Sequence, residues 1–246
     1  MRFLIIIICL LSERHIPHQL QKWRRLWLGK YIDVTKRISP PSLLNASPIS
    51  LYIVVLISLF SIFLVFTLLK TIGLFFVLNF FFEFMVFYLC LGEHNLFYMN
   101  ANQPQHFSTK DYICAINQEV IAIMLWFFLF GPMGALLYRV TLEYSKMQAF
   151  DETIAKFSHC LEWLPTRISA FLFLMVGHFQ PGFSTFAHSF SQKPEQNHQL
   201  LMQIAEQSLD LKSGVEVEAS KLEGLFTHAC LLLLFLMAIF MIGKML

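Results

Sequence analysis

Charged side chains are scarce in this sequence. Asp, Glu, Lys and Arg make up 14% of its 246 residues and apolar types 57%, where a soluble domain carries about 25% charge. A surface so poor in charge excludes an ordinary soluble globular domain of this size. The five cysteines, Cys9, Cys90, Cys114, Cys160 and Cys230, are scattered and include no C-x-x-C pair. They give neither a disulfide framework nor a zinc site. Three of them sit in apolar runs, where a free thiol behaves as a small hydrophobe. Internal repeats and low-complexity linkers are also lacking, so the chain parses as one domain.

What is present in quantity is long apolar sequence. Residues 49–69 and 120–138 contain no charge, residues 71–91 contain only Glu83, and residues 225–243 contain only His228 as a titratable group apart from Cys230. A hydrocarbon core about 30 Å thick takes about 20 helical residues to cross. At that depth only helices and closed barrels satisfy the backbone, and the absence of any period-two alternation excludes barrel strands. The expectation is an all-α, polytopic integral membrane protein. It has about four full transmembrane helices, a short N-terminal apolar segment and several amphipathic or re-entrant helices.

The net charge of +2 conceals an asymmetry. Residues 1–48 carry eight Lys or Arg and two acids, against ten and fourteen in the remainder. Basic juxtamembrane sequence is retained in the cytoplasm, which places the arm 12–47 inside. Without a basic domain, the arm does not indicate nucleic-acid binding. The opening MRFLIIIICLL resembles a signal peptide but lacks a small-x-small cleavage motif and runs into Ser12-Glu13-Arg14, so it is expected to remain attached.

Further along, 17–38 interleaves Trp23, Trp27 and Tyr31 with basic residues. This pattern predicts a surface-lying helix at headgroup level, ended by Pro40-Pro41. Residues 49–91 form a helical hairpin turning near Lys70, and 92–119 a polar cytoplasmic loop. Segment 120–183 carries the motif-bearing helices, with a break at Pro165 and a short, re-entrant or interfacial piece from Arg167. Segment 184–224 is polar and helical, with a one-sided helix around Leu200, Leu201, Ile204 and Leu209. Segment 225–246 is the terminal span.

Two stretches hold candidate functional residues. In the first, Gly131-Pro132-Met133-Gly134-Ala135-Leu136-Leu137-Tyr138-Arg139 is followed by Glu143. Arg139 and Glu143 are four apart and share a helix face, and the small residues suit close helix packing. In the second, His159-Cys160-Leu161-Glu162-Trp163-Leu164-Pro165-Thr166-Arg167 sets a carboxylate, an indole and a guanidinium around a proline. An arginine in a first helical turn makes an anion site. His159 and Glu162 are two candidate metal ligands, too few to assign a metal. Glu83 stands in the middle of a span, where an acid costs about 2.5–3.5 kcal/mol on insertion scales and marks function by default.

GPMGALLYRV, CLEWLPTRISAFLF, VGHFQPGF and LLMQIAEQSLDL together resemble the AmpE family of inner-membrane proteins, within the superfamily of cobinamide-phosphate synthases (CobD/CbiB). The likeness runs from the N-terminal Ser-Glu-Arg to the last helix. It implies a bacterial inner-membrane, multi-pass regulatory or signalling modulator linked to β-lactamase induction and the antibiotic response. Its implied partners are the lipid bilayer and a membrane or cytoplasmic protein of peptidoglycan-recycling signalling. The wider superfamily implies the alternative, a membrane-bound enzyme that forms an amide on a corrinoid carboxylate. That branch carries Asp-Pro…His-Pro and Asn-Thr-Leu-Asp motifs where this chain has Glu13-Arg14, Ile16-Pro17-His18 and Val140-Thr141-Leu142-Glu143, which fits the AmpE branch. The implied polar site comprises Glu13, Arg14, Tyr138, Arg139, Glu143, Glu162, Trp163 and Arg167. No nucleophile–base pair or phosphate-cradling loop assigns a reaction or a cofactor.

Counting crossings from a cytoplasmic arm puts 92–119 inside and the Tyr138-Arg139 end outside, whereas kinship with enzymes of cytosolic substrates favours the opposite face for Arg139. Single cysteines at Ser39, Ser108, Ser145 and Ser213 in a cysteine-free background test this. Ser39 is expected to be shielded from a periplasmic thiol reagent, and its labelling would overturn the scheme.

Overall fold

Helix accounts for the described secondary structure, as the apolar runs require. The computed structural model describes residues 2–13, 27, 29–31, 33–34, 48–70, 76–92, 109–147, 152–210 and 219–244. In chain order the helices are α1 (Arg2–Glu13), α2 (Pro48–Lys70), α3 (Phe76–Cys90), α4 (Thr109–Ile116), α5 (Ala122–Phe130), α6 (Pro132–Met147), α7 (Glu152–Val176), α8 (Phe179–Ser189), α9 (Asn197–Ser208) and α10 (Ala219–Gly243). A π-helical turn, Asn117–Ile121, joins α4 to α5. The chain forms two compact units, residues 1–94 with 123–158, and residues 95–122 with 159–246.

Among the described residues, two stretches are long and apolar enough to cross a membrane, Tyr112–Phe130 and Lys221–Gly243, and Tyr52–Ser61 and Asn79–Cys90 are shorter apolar stretches within α2 and α3. The described part of α3 has 15 residues, which at 1.5 Å per residue give about 22 Å.

In the first unit, α1 and α6 both pack on α3, and α2 packs on α6. Cys9 of α1 sits against the Phe84 carbonyl at 4.0 Å, and the Phe87 and Phe127 rings meet at 4.5 Å. α2 is pinned to α6 by Tyr52, whose hydroxyl lies 2.7 Å from Thr141 Oγ1 and whose ring lies 5.5 Å from that of Tyr144. Tyr52, Val55, Leu59, Val140, Tyr144 and Ile154 form the buried cluster there, with Trp27 and Tyr31 packed against it. Trp27 Nε1 donates to the Leu89 carbonyl at 3.1 Å. Its half-buried indole is therefore held against the protein. Most of 17–38, Pro40-Pro41, the hairpin turn 71–75 and residues 93–108 lie outside the described residues.

Three expectations are corrected. Residues 120–138 do not form one helix, because Gly131 adopts φ +75°, a left-handed value that ends α5. Pro132 then opens α6 at a position where its missing N–H costs nothing. Residues 109–121 are helical rather than loop. Pro165 does not break α7, which runs 25 residues from Glu152 to Val176. The segment beginning at Arg167 is thus the second half of a long helix and not a separate re-entrant piece. An interior proline costs about 3 kcal/mol. Burial of Pro165, Thr166, Arg167, Ser169 and Ala170 on the same turns offsets that cost.

In the second unit, α9 packs on α8 and on α4. Leu200, Leu201, Ile204, Ala205 and Ser208 are its buried face, in the one-sided pattern expected of that stretch. Tyr112, Ile113 and Ile116 of α4 meet Phe173, Ala205 and the α10 residues Leu222, Leu225 and Phe226. α7 ends where Gly177 passes the end of α9, since a Cβ there would stand 2.4 Å from the Ser208 carbonyl oxygen. His178 N–H donates to that same oxygen at 2.8 Å.

Gly134 gives the fold its first test. A Cβ at this position would stand 2.5 Å from the Trp126 carbonyl oxygen, so Gly134→Ala must push α6 away from α5. The expected outcome is a loss of about 1–3 kcal/mol, read as a lower melting temperature of the protein in detergent. An unchanged melting temperature would refute the close packing at this kink.

Candidate functional site

α7 carries Glu162, Thr166 and Ser169 at spacings of four and three, which lines them along one face of the helix. All three are buried, with Glu162 only 1% exposed. A polar stripe buried in a helix must find partners on its neighbours. They come from the π turn, whose wider winding is a frequent feature of functional sites. Ser169 Oγ donates to Asn117 Oδ1 at 2.6 Å, and Asn117 Nδ2 donates to Thr166 Oγ1 at 3.3 Å. Gln118 Nε2 donates to Glu162 Oε1 at 2.6 Å.

The other carboxylate oxygen of Glu162 faces two imidazoles. His198 Nε2 of α9 lies 3.2 Å from Oε2, and His159 Nδ1, one turn back on α7, lies 4.0 Å from it. The two rings meet edge to face with centroids 6.2 Å apart. His198 Nε2 is also 3.1 Å from Gln118 Nε2. Both histidine side chains are about one-third exposed, 33% and 37%, so the buried carboxylate reaches the surface through them. This arrangement can present a hydrogen-bonding edge to a ligand. Among the described residues no group of three or more His, Cys, Asp or Glu is placed to hold a metal ion.

Arg167 lies one turn further along α7 and is buried. Its Nη2 donates to the carbonyls of Ser189 at 2.9 Å and Gln192 at 3.3 Å. Its Nη1 donates to the Asn197 side chain and to the Trp163 carbonyl at 3.4 Å. The guanidinium also stacks 4.7 Å from the Trp163 ring centre, a cation–π contact. Asn197 in turn donates to the His159 carbonyl at 3.0 Å. Burial pushes the Arg167 guanidinium below its usual pKa. The expected anion site at Arg167 is thereby corrected. No helix begins at Pro165, and both terminal guanidinium nitrogens are taken up by protein acceptors, chiefly the turn that links α8 to α9, while Nε is buried without a partner among the described residues.

The remaining expected site residues fall as follows. Tyr138, Arg139 and Glu143 belong to α6 in the first unit. Arg139 is buried and pairs with Glu143 at 3.0 Å, as their spacing predicts, while Lys146 approaches the same oxygen at 3.7 Å. Arg139 Nη1 is buried without a hydrogen-bond partner among the described residues. Glu162, Trp163 and Arg167 belong to the second unit. Glu13 is the last residue of α1, and Arg14 lies outside the described residues. Glu83 accepts from Asn79 Nδ2 at 3.1 Å, four residues back on α3. Its polarity is answered within its own helix.

Asn117, Gln118, Asn197 and His198 were not picked out by their sequence positions. Asn117 and Gln118 stand with Glu119 just before an apolar run and read as loop. His198 stands in a polar stretch with nothing to distinguish it. The legible signal was the i, i+4, i+7 stripe of Glu162, Thr166 and Ser169, which asks for polar neighbours without naming them. Comparison with family models, with curated proteins and with solved structures finds no match to this chain.

The clamp at Arg167 has a measurable consequence. Arg167→Lys keeps the charge but loses the planar fork that reaches several acceptors at once. With hydrogen bonds to charged groups contributing about 1.5–3 kcal/mol each, the variant is expected to melt several degrees lower and to accumulate to lower levels. Wild-type stability in Arg167→Lys would show that the clamp is not structural.

Proposed function

We propose that this chain is an inner-membrane regulatory protein of the AmpE kind, acting in the bacterial response to β-lactams. In this reading it is multi-pass, with its basic arm 12–47 in the cytoplasm. The observation that carries the choice of regulator over enzyme is the use made of Arg167. An amide-forming enzyme of the corrinoid type must hold a carboxylate and an activating phosphate, and the motif guanidinium suited to that task is enclosed by protein carbonyls. Arg139 is likewise paired, with Glu143. The motif arginines thus serve the framework. What the second unit offers to a ligand or partner is the edge formed by Gln118, His159, Glu162 and His198.

In this reading, binding at that edge alters the hydrogen bonds of Glu162 and so the hold of α9 on α7 and α4. A buried carboxylate whose two oxygens accept from Gln118 and His198 is sensitive to the loss of either.

Deletion of the gene in its host, with β-lactamase activity followed across concentrations of an inducing β-lactam, tests the proposal. Deletion is expected to change induced activity several-fold, and the wild-type gene to restore it. Glu162→Gln should fail to restore it while remaining in carbonate-washed membranes at the wild-type level. An unchanged induction curve in the deletion strain would overturn the regulatory reading. Loss of corrinoid amidation in that strain would give the chain to the amide-forming enzymes instead.

A further inference from the structure

The first unit contains an apolar groove that the motif residues do not explain. It has a volume of about 540 Å³ and runs between α2 and the α5–α6 kink. Leu56, Ile57 and Phe60 form one wall and Trp126, Phe130 and Leu137 are among those opposite. Its lip is built of outward-facing side chains: Ile57, Phe60 and Phe130 are each more than half exposed. Trp126 and Phe130 belong to Tyr112–Phe130, one of the two stretches able to cross a membrane.

A cation stands beside the groove. The Arg2 guanidinium lies against Gly131, where a Cβ would come within 3.0 Å of it, and Gly131 directly follows the groove residue Phe130. Arg2 Nη1 donates to the Leu129 carbonyl at 3.3 Å, and Arg2 has no carboxylate partner among the described residues. The Trp126 indole N–H is buried without an acceptor among them. An apolar slot and a cation at the adjacent helix end, without a carboxylate partner among the described residues, match two parts of one amphiphile: an acyl chain and a phosphate.

We propose that this groove holds one acyl chain of an anionic phospholipid whose phosphate pairs with Arg2. The inference rests on the reading that the chain lies in a membrane. Retention of the full-length protein in carbonate-washed membranes checks that separately, before the lipid is addressed. Water would fill such a slot poorly, because its walls offer almost nothing to hydrogen-bond. An acyl chain already in the bilayer enters it without exposing apolar surface.

Trp126 reports on the groove directly. With Trp23, Trp27 and Trp163 replaced by Phe, the full-length protein is reconstituted in phosphatidylcholine vesicles containing rising fractions of phosphatidylglycerol brominated on its acyl chains. Bromine quenches indole only at contact. Quenching is expected to saturate at a low mole fraction of the anionic lipid, and brominated phosphatidylcholine at the same fraction should quench much less. Arg2→Gln should raise the half-quenching fraction about fivefold, the effect of one basic residue at an anionic surface. Ile57→Phe, which fills the groove from its exposed lip, should reduce the maximum quenching while leaving the headgroup preference. Quenching that grows in simple proportion to bulk lipid, identical for both lipids and all three proteins, would overturn the proposal. So would unquenched Trp126 in vesicles where cross-linking shows a second copy covering the groove.

Discussion

In a chain with so few charges a buried polar atom is best answered from within the protein, and much of the described structure follows from that pressure, with a few atoms such as Arg139 Nη1 and Arg167 Nε left over. In water a stray hydroxyl or amide is solvated; in an apolar surrounding it costs several kcal/mol. The hydroxyls of Ser12, Thr67 and Thr227 accordingly bond back to carbonyls three or four residues earlier on their own helices. Thr141 does this at 2.7 Å and meets Tyr52 as well, which fixes the register of α2 on α6. Glu83 is answered by Asn79 on its own helix.

Arg167 and Glu162 show the same requirement on a larger scale. The guanidinium closes the turn between α8 and α9 by occupying the carbonyls at the end of α8. The Ser189 carbonyl also accepts from Gln192 N–H at 3.2 Å, so the guanidinium adds a second donor at a helix end whose acceptors are otherwise only partly used. The carboxylate, one turn earlier on α7, binds α9 through His198 and the π turn through Gln118. One helix face therefore organises three neighbouring elements. That is consistent with α7 running straight through Pro165, because restarting the helix there would place Glu162 and Arg167 on different axes.

Kinks are placed where backbone chemistry permits them. Gly131 supplies a left-handed conformation and Pro132 an N–H-free helix start, and Gly134 allows the two helices to approach closely. The groove beside this kink and the Arg2 guanidinium lodged against Gly131 both arise from that local break. A polar cluster and a lipid-sized slot thus lie in separate units, each generated by its own departure from straight helix: a π turn in one and a glycine–proline step in the other.

Helical class and the apolar character of α2, α3, α5 and α10 were legible in the chain, because a run of apolar residues long enough to cross hydrocarbon has few other conformations open to it. So were the Arg139–Glu143 pair and the buried face of α9, since both are set by helical periodicity alone. The end of the third expected span was misplaced, because α5 stops at Phe130 where Gly131 turns left-handed, and hydropathy does not mark such an end. Pro165 misled for a related reason: its local penalty is fixed, while the burial that offsets it comes from residues distant in sequence. The same holds for the site. Glu162 and Arg167 stood out as ionisable residues in an apolar setting, but their partners Gln118, Asn197 and His198 are 30 to 44 residues away. Spacing along one helix reveals which side chains share a face. Which groups that face meets is set by the packing of other helices against it.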